Sequence, residues 1–146
     1  MFTLPIENGI SAVMEQAARV PLKFEKLTLS ENWCSAEERE RELVFDGEKL
    51  ICSQYYGRWN DDKEREEFLE KRVTLTKSDY ESLCELFGRI GMREWLGKSY
   101  SNSDVLDGEG FNLSLTENGK RYWSGGSNSW PEGYNEFIKR LEAIFD

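Results

Sequence analysis

The chain has no histidine among its 146 residues, and only three cysteines and three prolines. The first absence excludes Ser-His-Asp and Cys-His nucleophile arrangements, imidazole-ligated metals and the ordinary imidazole base. Cys34, Cys52 and Cys84 are odd in number, widely spaced and without a Cys-x-x-Cys pair. They indicate neither a disulfide framework nor a zinc site, and a reducing compartment, the cytoplasm, fits them best. Met1 to Ala18 lacks the basic start and sustained apolar run of a secretion signal, and no stretch approaches the length of a membrane span. A carboxylate pair could still serve a glycosidase, but no pair stands between apolar neighbours where a raised pKa is expected. Asp104, Asp107 and Glu109 around Gly108 lack the Asp-x-Asp-x-Asp-Gly register of a calcium loop. The expectation is a non-enzymatic protein with no cofactor and no metal.

What the chain does have is acid and aromatic rings. Asp and Glu number 28 against 19 Lys and Arg, a net charge of −9, which repels phosphate backbones and anionic membrane surfaces. Direct nucleic-acid and membrane binding are therefore disfavoured. Hydrophobic residues make up 38%, but five Trp, eight Phe and six Tyr supply bulky material for a core. A chain of this length buries roughly two thirds of its unfolded surface in one domain. The expectation is a single α+β domain over residues 1–146, with 1–20 as a loosely attached N-terminal segment.

The most informative stretch runs from Phe111 to Tyr134. Phe111, Leu113 and Leu115 alternate with Asn112, Ser114 and Thr116, the period of a strand with one buried face. Asn118-Gly119 follows, a pair suited to a type I′ turn because both central residues need positive φ. That turn sets Glu117 opposite Lys120, Leu115 opposite Tyr122, Leu113 opposite Ser124 and Ser114 opposite Trp123. Trp123 then lands on the polar face beside Arg121. Gly125-Gly126-Ser127-Asn128 reads as a sharp turn with glycines at positive φ. Ser129-Trp130-Pro131-Glu132 reads as a capping box for a helix carrying Tyr134, Phe137, Ile138, Leu141 and Ile144 on one face.

Leu113, Leu115, Gly119, Lys120, Trp123, Ser124, Gly125, Gly126, Ser127, Asn128, Pro131 and Tyr134 together form an apolar strand, a Gly-Lys turn, an aromatic-Ser-Gly-Gly-Ser-Asn run and then Pro with a following aromatic. This quarter of the chain resembles the C-terminal part of small uncharacterised bacterial proteins and lipoproteins. The resemblance implies the local strand-turn-strand-helix fold and no activity.

Elsewhere, Ile10 to Ala18 is Ala-rich and helix-compatible, and Leu22 to Leu29 nearly alternates as a strand with an irregularity at Glu25-Lys26. Glu37 to Glu42 has no apolar residue and reads as a solvated connection or helix tip. Asp46-Gly47 joins Leu43–Phe45 to Leu50–Tyr56 as a second hairpin, through a loop of two or four residues. Residues 62–71 are open to helix or strand, ahead of a strand ending at Thr76. Thr76 and Asp79 cap a helix whose apolar face is Tyr80, Leu83, Cys84, Leu86, Phe87 and Ile90, with Gly91 at its end. Met92 to Gly110 reads as a loop anchored by Trp95, Leu96 and Tyr100. The expected fold is α+β: an antiparallel sheet of five or six strands built from hairpins, with two main helices packed on it.

For function, Tyr, Trp and Arg concentrate at recognition surfaces. Tyr55, Tyr56 and Trp59 around Arg58, and Trp123 beside Arg121, are the candidate binding residues, with Ser127 and Asn128 as donors in the glycine turn. The leading expectation is an interaction domain that binds a protein partner, a basic one by charge, through an acidic surface bearing exposed aromatics, in the manner of an immunity protein or inhibitor. The alternative is a small-ligand module built on the Gly125 to Asn128 turn. Nucleic-acid mimicry, which needs acids spaced like phosphates, is the third. Oligomeric state is left open by the sequence.

Overall fold

The computed structural model describes residues 20–33, 37–59, 62, 64–102 and 108–146. Among them are seven strands: β1 (Lys26–Asn32), β2 (Glu37–Phe45), β3 (Lys49–Trp59), β4 (Arg65–Thr76), β5 (Ser99–Ser101), β6 (Gly110–Glu117) and β7 (Lys120–Ser127). They form one sheet in the order β4-β3-β2-β1-β6-β7-β5, antiparallel throughout except that β5 runs parallel to β7. Three helices accompany it: α1 (Lys77–Arg89), α2 (Met92–Trp95) and α3 (Tyr134–Phe145). The α+β class is as expected, with more elements than the five or six strands and two main helices read from the sequence. No helix among the described residues is long and apolar enough to cross a membrane. The Ala-rich segment 10–18, Cys34, Asp104 and Asp107 lie outside the described residues.

One face of the sheet carries the core. Leu27, Leu29, Leu43, Leu50, Cys52, Phe111, Leu113 and Leu115 are buried there, against Leu83, Cys84 and Phe87 of α1 and Phe137 and Leu141 of α3. The α1 start is built as its residues dictate: the Thr76 hydroxyl accepts from the Asp79 N–H, and the Asp79 carboxylate accepts from the Thr76 N–H. Aromatic rings fill the interior. Phe45 stacks on Tyr80 at 3.7 Å between centroids, and the Tyr80 hydroxyl donates to the Phe24 carbonyl at 2.7 Å. Phe24, Phe87, Phe137 and Trp95 continue the cluster edge to face or tilted.

The C-terminal hairpin has the expected register, with Ser114 opposite Trp123 and Leu115 opposite Tyr122, and its turn has Asn118 at φ 53° and Gly119 at φ 75°. The Asp46-Gly47 loop holds four residues, since Phe45 pairs with Leu50, and the Asp46 carboxylate accepts from the Glu48 and Lys49 N–H groups.

Several expectations are corrected. Glu37 to Glu42 is no connection but the first part of β2, paired on both sides by β1 and β3. Residues 65–71, open to helix or strand in the sequence, are strand, with a bulge at Glu70 where Gln54 pairs with Lys71 and Tyr55 with Leu69. Here cross-strand pairing overrode the helix propensity of Glu and Arg. The first strand begins at Lys26, later than Leu22, although Leu22 and Phe24 are still buried. The segment after Met92 contains α2 and β5 rather than loop alone.

The glycine turn is also displaced. Gly125 and Gly126 lie within β7 and lack positive φ; only Asn128 turns the chain, at φ 56°. These glycines serve close approach instead. A Cβ on Gly126 would stand 2.6 Å from the Phe111 ring and 3.0 Å from the Tyr100 carbonyl, where β5 and β6 press in from either side. Past the turn, Ser129 and Glu132 form no capping box: α3 begins at Tyr134 behind Gly133 at φ 89°, with no side-chain cap. A Cβ at Gly133 would meet the Ile90 carbonyl at 2.8 Å, so the end of α1 dictates where α3 starts.

Candidate interaction face

The strand registers place every second side chain on the sheet face away from α1 and α3. Along β2 these are Glu38, Glu40 and Glu42; along β3, Ser53, Tyr55 and Trp59; along β4, Arg65, Glu67, Leu69 and Arg72. On the far side stand Ser114 and Thr116 of β6 with Arg121 and Trp123 of β7. No described helix lies over this face, which makes it the broad open surface of the described residues.

Toward the β4 edge of this face, over β2, β3 and β4, is a shallow depression of about 430 Å³ lined by Glu40, Glu42, Tyr55, Glu67 and Leu69. Three of those five side chains are carboxylates and none is a cation. Burial, and then the facing Glu67 charge, hold the Glu40 carboxyl above its ordinary value of 4.5, against the Ser30 hydroxyl, which donates to it at 3.3 Å. Cations stand outside the lining. Lys26 reaches Glu42 at 3.7 Å, and Arg65 lies 3.4 Å from Glu38 and 3.9 Å from Glu67. Arg72 donates to the Ser53 hydroxyl at 3.1 Å and Arg121 to that of Ser114 at 2.9 Å. The open face is therefore acidic over β2 to β4, with Lys26, Arg65 and Arg72 beside the acids and Arg121 on the far side of the sheet, rather than acidic throughout.

The sequence candidates do not converge on one point. Trp123 stands on the open face with 52% of its surface exposed, as the hairpin register requires. Tyr55 lies in the depression, four strands away, roughly 19 Å at the usual strand spacing of about 4.8 Å. Trp59 is on the same face at the outer end of β3 and is 51% exposed. Tyr56 points to the opposite face, in a row with Arg39 and Phe68. Tyr55, Tyr56 and Trp59 thus form no single cluster around Arg58, because consecutive strand residues alternate sides.

Ser127 and Asn128 are committed to the fold. The Asn128 side-chain oxygen accepts from the Glu109 N–H at 3.0 Å, the Asn128 N–H donates to the Glu109 carbonyl at 2.8 Å, and the Asn128 amide fills the space beside Gly108. The Gly125 to Asn128 turn accordingly makes no nest of free N–H groups. A concave site does lie nearby: a cleft of about 400 Å³ among Ile90, Trp95, Lys98, Tyr100, Pro131 and Glu136.

The residues missed by sequence reasoning are Glu38, Glu40, Glu42, Glu67 and Leu69. For the three β2 acids the signal was present in Glu38-Arg39-Glu40-Arg41-Glu42, which alternates in sign with period two as a strand alternates faces. The apolar template cannot find it because no apolar residue takes part. The even positions give the acidic row, and the odd ones turn to the helix side, where Arg41 is buried and donates to Glu31 at 2.7 Å and Gln54 at 2.8 Å. Among the described thiols, burial pushes Cys52 up to about 12 and also raises Cys84, which leaves both poor nucleophiles. No group of three or more metal-ligating side chains occurs among the described residues. Set against known protein families, curated proteins and solved structures, the chain finds no match in any of the three.

Proposed function

We propose that this chain is a non-enzymatic interaction domain that receives a basic side chain of a protein partner in the depression on its open sheet face, in the manner of an immunity protein or inhibitor. The observation that carries the reading is the depression itself: Glu40, Glu42 and Glu67 around Tyr55 and Leu69, with no cation in the lining. A lysine or arginine inserted there would meet an aromatic ring and three carboxylates, two of which repel each other until a cation arrives. Trp123, Trp59 and Leu69, each about half exposed, supply apolar contact around it. The cations Lys26, Arg65 and Arg72 beside the acids favour a partner whose basic site is itself bordered by acid. The cytoplasm remains the proposed compartment, because Cys52 and Cys84 are free and buried.

Nucleic-acid mimicry fits the same residues less well. The row Glu38, Glu40 and Glu42 is only three acids long, and Lys26, Arg65 and Arg72 stand beside it, where a run of phosphates carries no cation of its own. A small-ligand reading is moved from the Gly125 to Asn128 turn to the cleft beside Trp95 and Tyr100, where Lys98 and Glu136 supply charge of both signs.

The test is quantitative binding to a partner isolated from the source organism, comparing wild type with Glu38→Gln/Glu40→Gln/Glu42→Gln. The proposal expects affinity to fall at least about tenfold in the variant and to weaken with added salt in the wild type. Unchanged affinity in the variant overturns it.

A further inference from the structure

The β4 strand is the last of the sheet and pairs only with β3. It is 12 residues long, and its segment Arg65–Arg72 is exposed along its whole length, with Phe68 at 55% and Leu69 at 50%. The outward N–H and C=O groups of that segment have no backbone partner among the described residues. A long edge carrying adjacent exposed apolar side chains is a template for another strand unless something blocks it.

Charge decides which strand it can accept. In Arg65-Glu66-Glu67-Phe68-Leu69-Glu70-Lys71-Arg72 the acids Glu66 and Glu67 stand toward the start and the bases Lys71 and Arg72 at the end, with Arg65 and Glu70 each reversing the sign of its half. A strand uniform in charge sign would meet repulsion from one of the halves. A second copy of β4 laid antiparallel would set Glu67 of each copy against Arg72 of the other. The bulge at Glu70 makes the faces agree as well. On the open face stand Glu67, opposite Gly57, and Arg72, opposite Ser53; on the helix face stand Phe68, opposite Tyr56, and Lys71, opposite Gln54. With the two-fold axis passing between Leu69 and Glu70, Glu67 falls opposite the second copy's Arg72 and Phe68 opposite its Lys71, each pair occurring twice.

Within one chain Arg72 is held only by the neutral Ser53 hydroxyl, to which it donates at 3.1 Å. Lys71 and Arg72 make no ion pair among the described residues. Glu67 faces the like charge of Glu40, and among the described residues its ion pair is the long one to Arg65, at 3.9 Å. We infer that this protein self-associates through β4, edge to edge and antiparallel, joining two seven-stranded sheets into one and leaving both open faces exposed. Charge along the edge then serves two ends: it refuses most strands and admits a second copy.

The test is the mass of the intact chain in solution by multi-angle light scattering and sedimentation, for wild type and two charge-reversed variants. Lys71→Glu/Arg72→Glu leaves Arg65 as the segment's only base, and Glu66→Lys/Glu67→Lys leaves Glu70 as its only acid. The expected results are a doubled mass for wild type, the monomer mass for each variant alone, and a doubled mass again when the two variants are mixed in equal amounts. A wild type that stays monomeric to millimolar concentration overturns the inference, whatever the variants do. So does a variant, folded by circular dichroism, that dimerises as wild type does, or a mixture of folded variants that stays monomeric. As a measurement needing no variant, amide exchange across Arg65–Arg72 must slow as wild-type concentration rises; exchange independent of concentration also contradicts it.

Discussion

Arg41 shows how a single charged residue can be structural in a chain read as solvated charge. It is 4% exposed, between Glu31 at 2.7 Å and Gln54 at 2.8 Å, and the Tyr134 hydroxyl donates to the other oxygen of Glu31 at 3.3 Å. The network ties β1, β2, β3 and α3 together at the margin of the core. Removing one partner of a buried pair leaves the other uncompensated, so Arg41→Ala is expected to cost about 3 kcal/mol in urea denaturation, far more than a surface pair such as Lys26–Glu42, worth under about 1 kcal/mol. Glu40 has the opposite sign. Its carboxyl is raised in the fold, so its contribution to stability is complete below its unfolded pKa and is lost as pH rises through the folded value. Glu40→Gln should therefore melt higher than wild type at neutral pH, and the difference should vanish in acid; an equal difference at both pH values would contradict the assignment.

At the scale of elements, the hairpin turns are where local chemistry decided most. Gly119 sits at φ 75° with nothing within 4 Å of a Cβ built on it, so Gly119→Ala adds backbone strain without a clash. The expected loss is about 1 kcal/mol by thermal or chemical unfolding, the usual left-handed penalty. The two hairpins and the α1 cap were legible because each depends on residues adjacent in sequence: Asn118-Gly119, Asp46-Gly47, Thr76 with Asp79. The same logic failed wherever a distant element set the outcome. Gly125 and Gly126 look like turn residues, yet they are strand residues kept small by Phe111 and Tyr100. Ser129 and Glu132 have capping-box spacing, but Ile90 and Trp95, which donates to the Glu132 carbonyl at 3.1 Å, hold that segment off the helix. Of the candidate site, Trp123 and Tyr55 could be placed from register, whereas Glu40 and Glu67 meet only because three strands of different length align.

For the whole molecule, a sheet covered on one side and open on the other gives a division of labour. The covered face holds the aromatic core, and the open face is free to take up a partner at little cost to stability. On the proposed reading, the partner docks at the acid-lined hollow beside the exposed Leu69 and Trp59, and Trp123, four strands away, sets how far the contact extends. Truncating Trp123 to Ala should then weaken partner binding by at least about tenfold while leaving the unfolding midpoint within the usual small range for surface changes. The most direct test is to bring the isolated partner to the wild type and to the Glu38→Gln/Glu40→Gln/Glu42→Gln variant across a salt series. Wild-type affinity should fall steeply with ionic strength, and the variant should be both weaker and nearly insensitive to salt. Equal affinities with the same salt dependence would contradict the proposed docking, because the acidic row would then lie outside the interface.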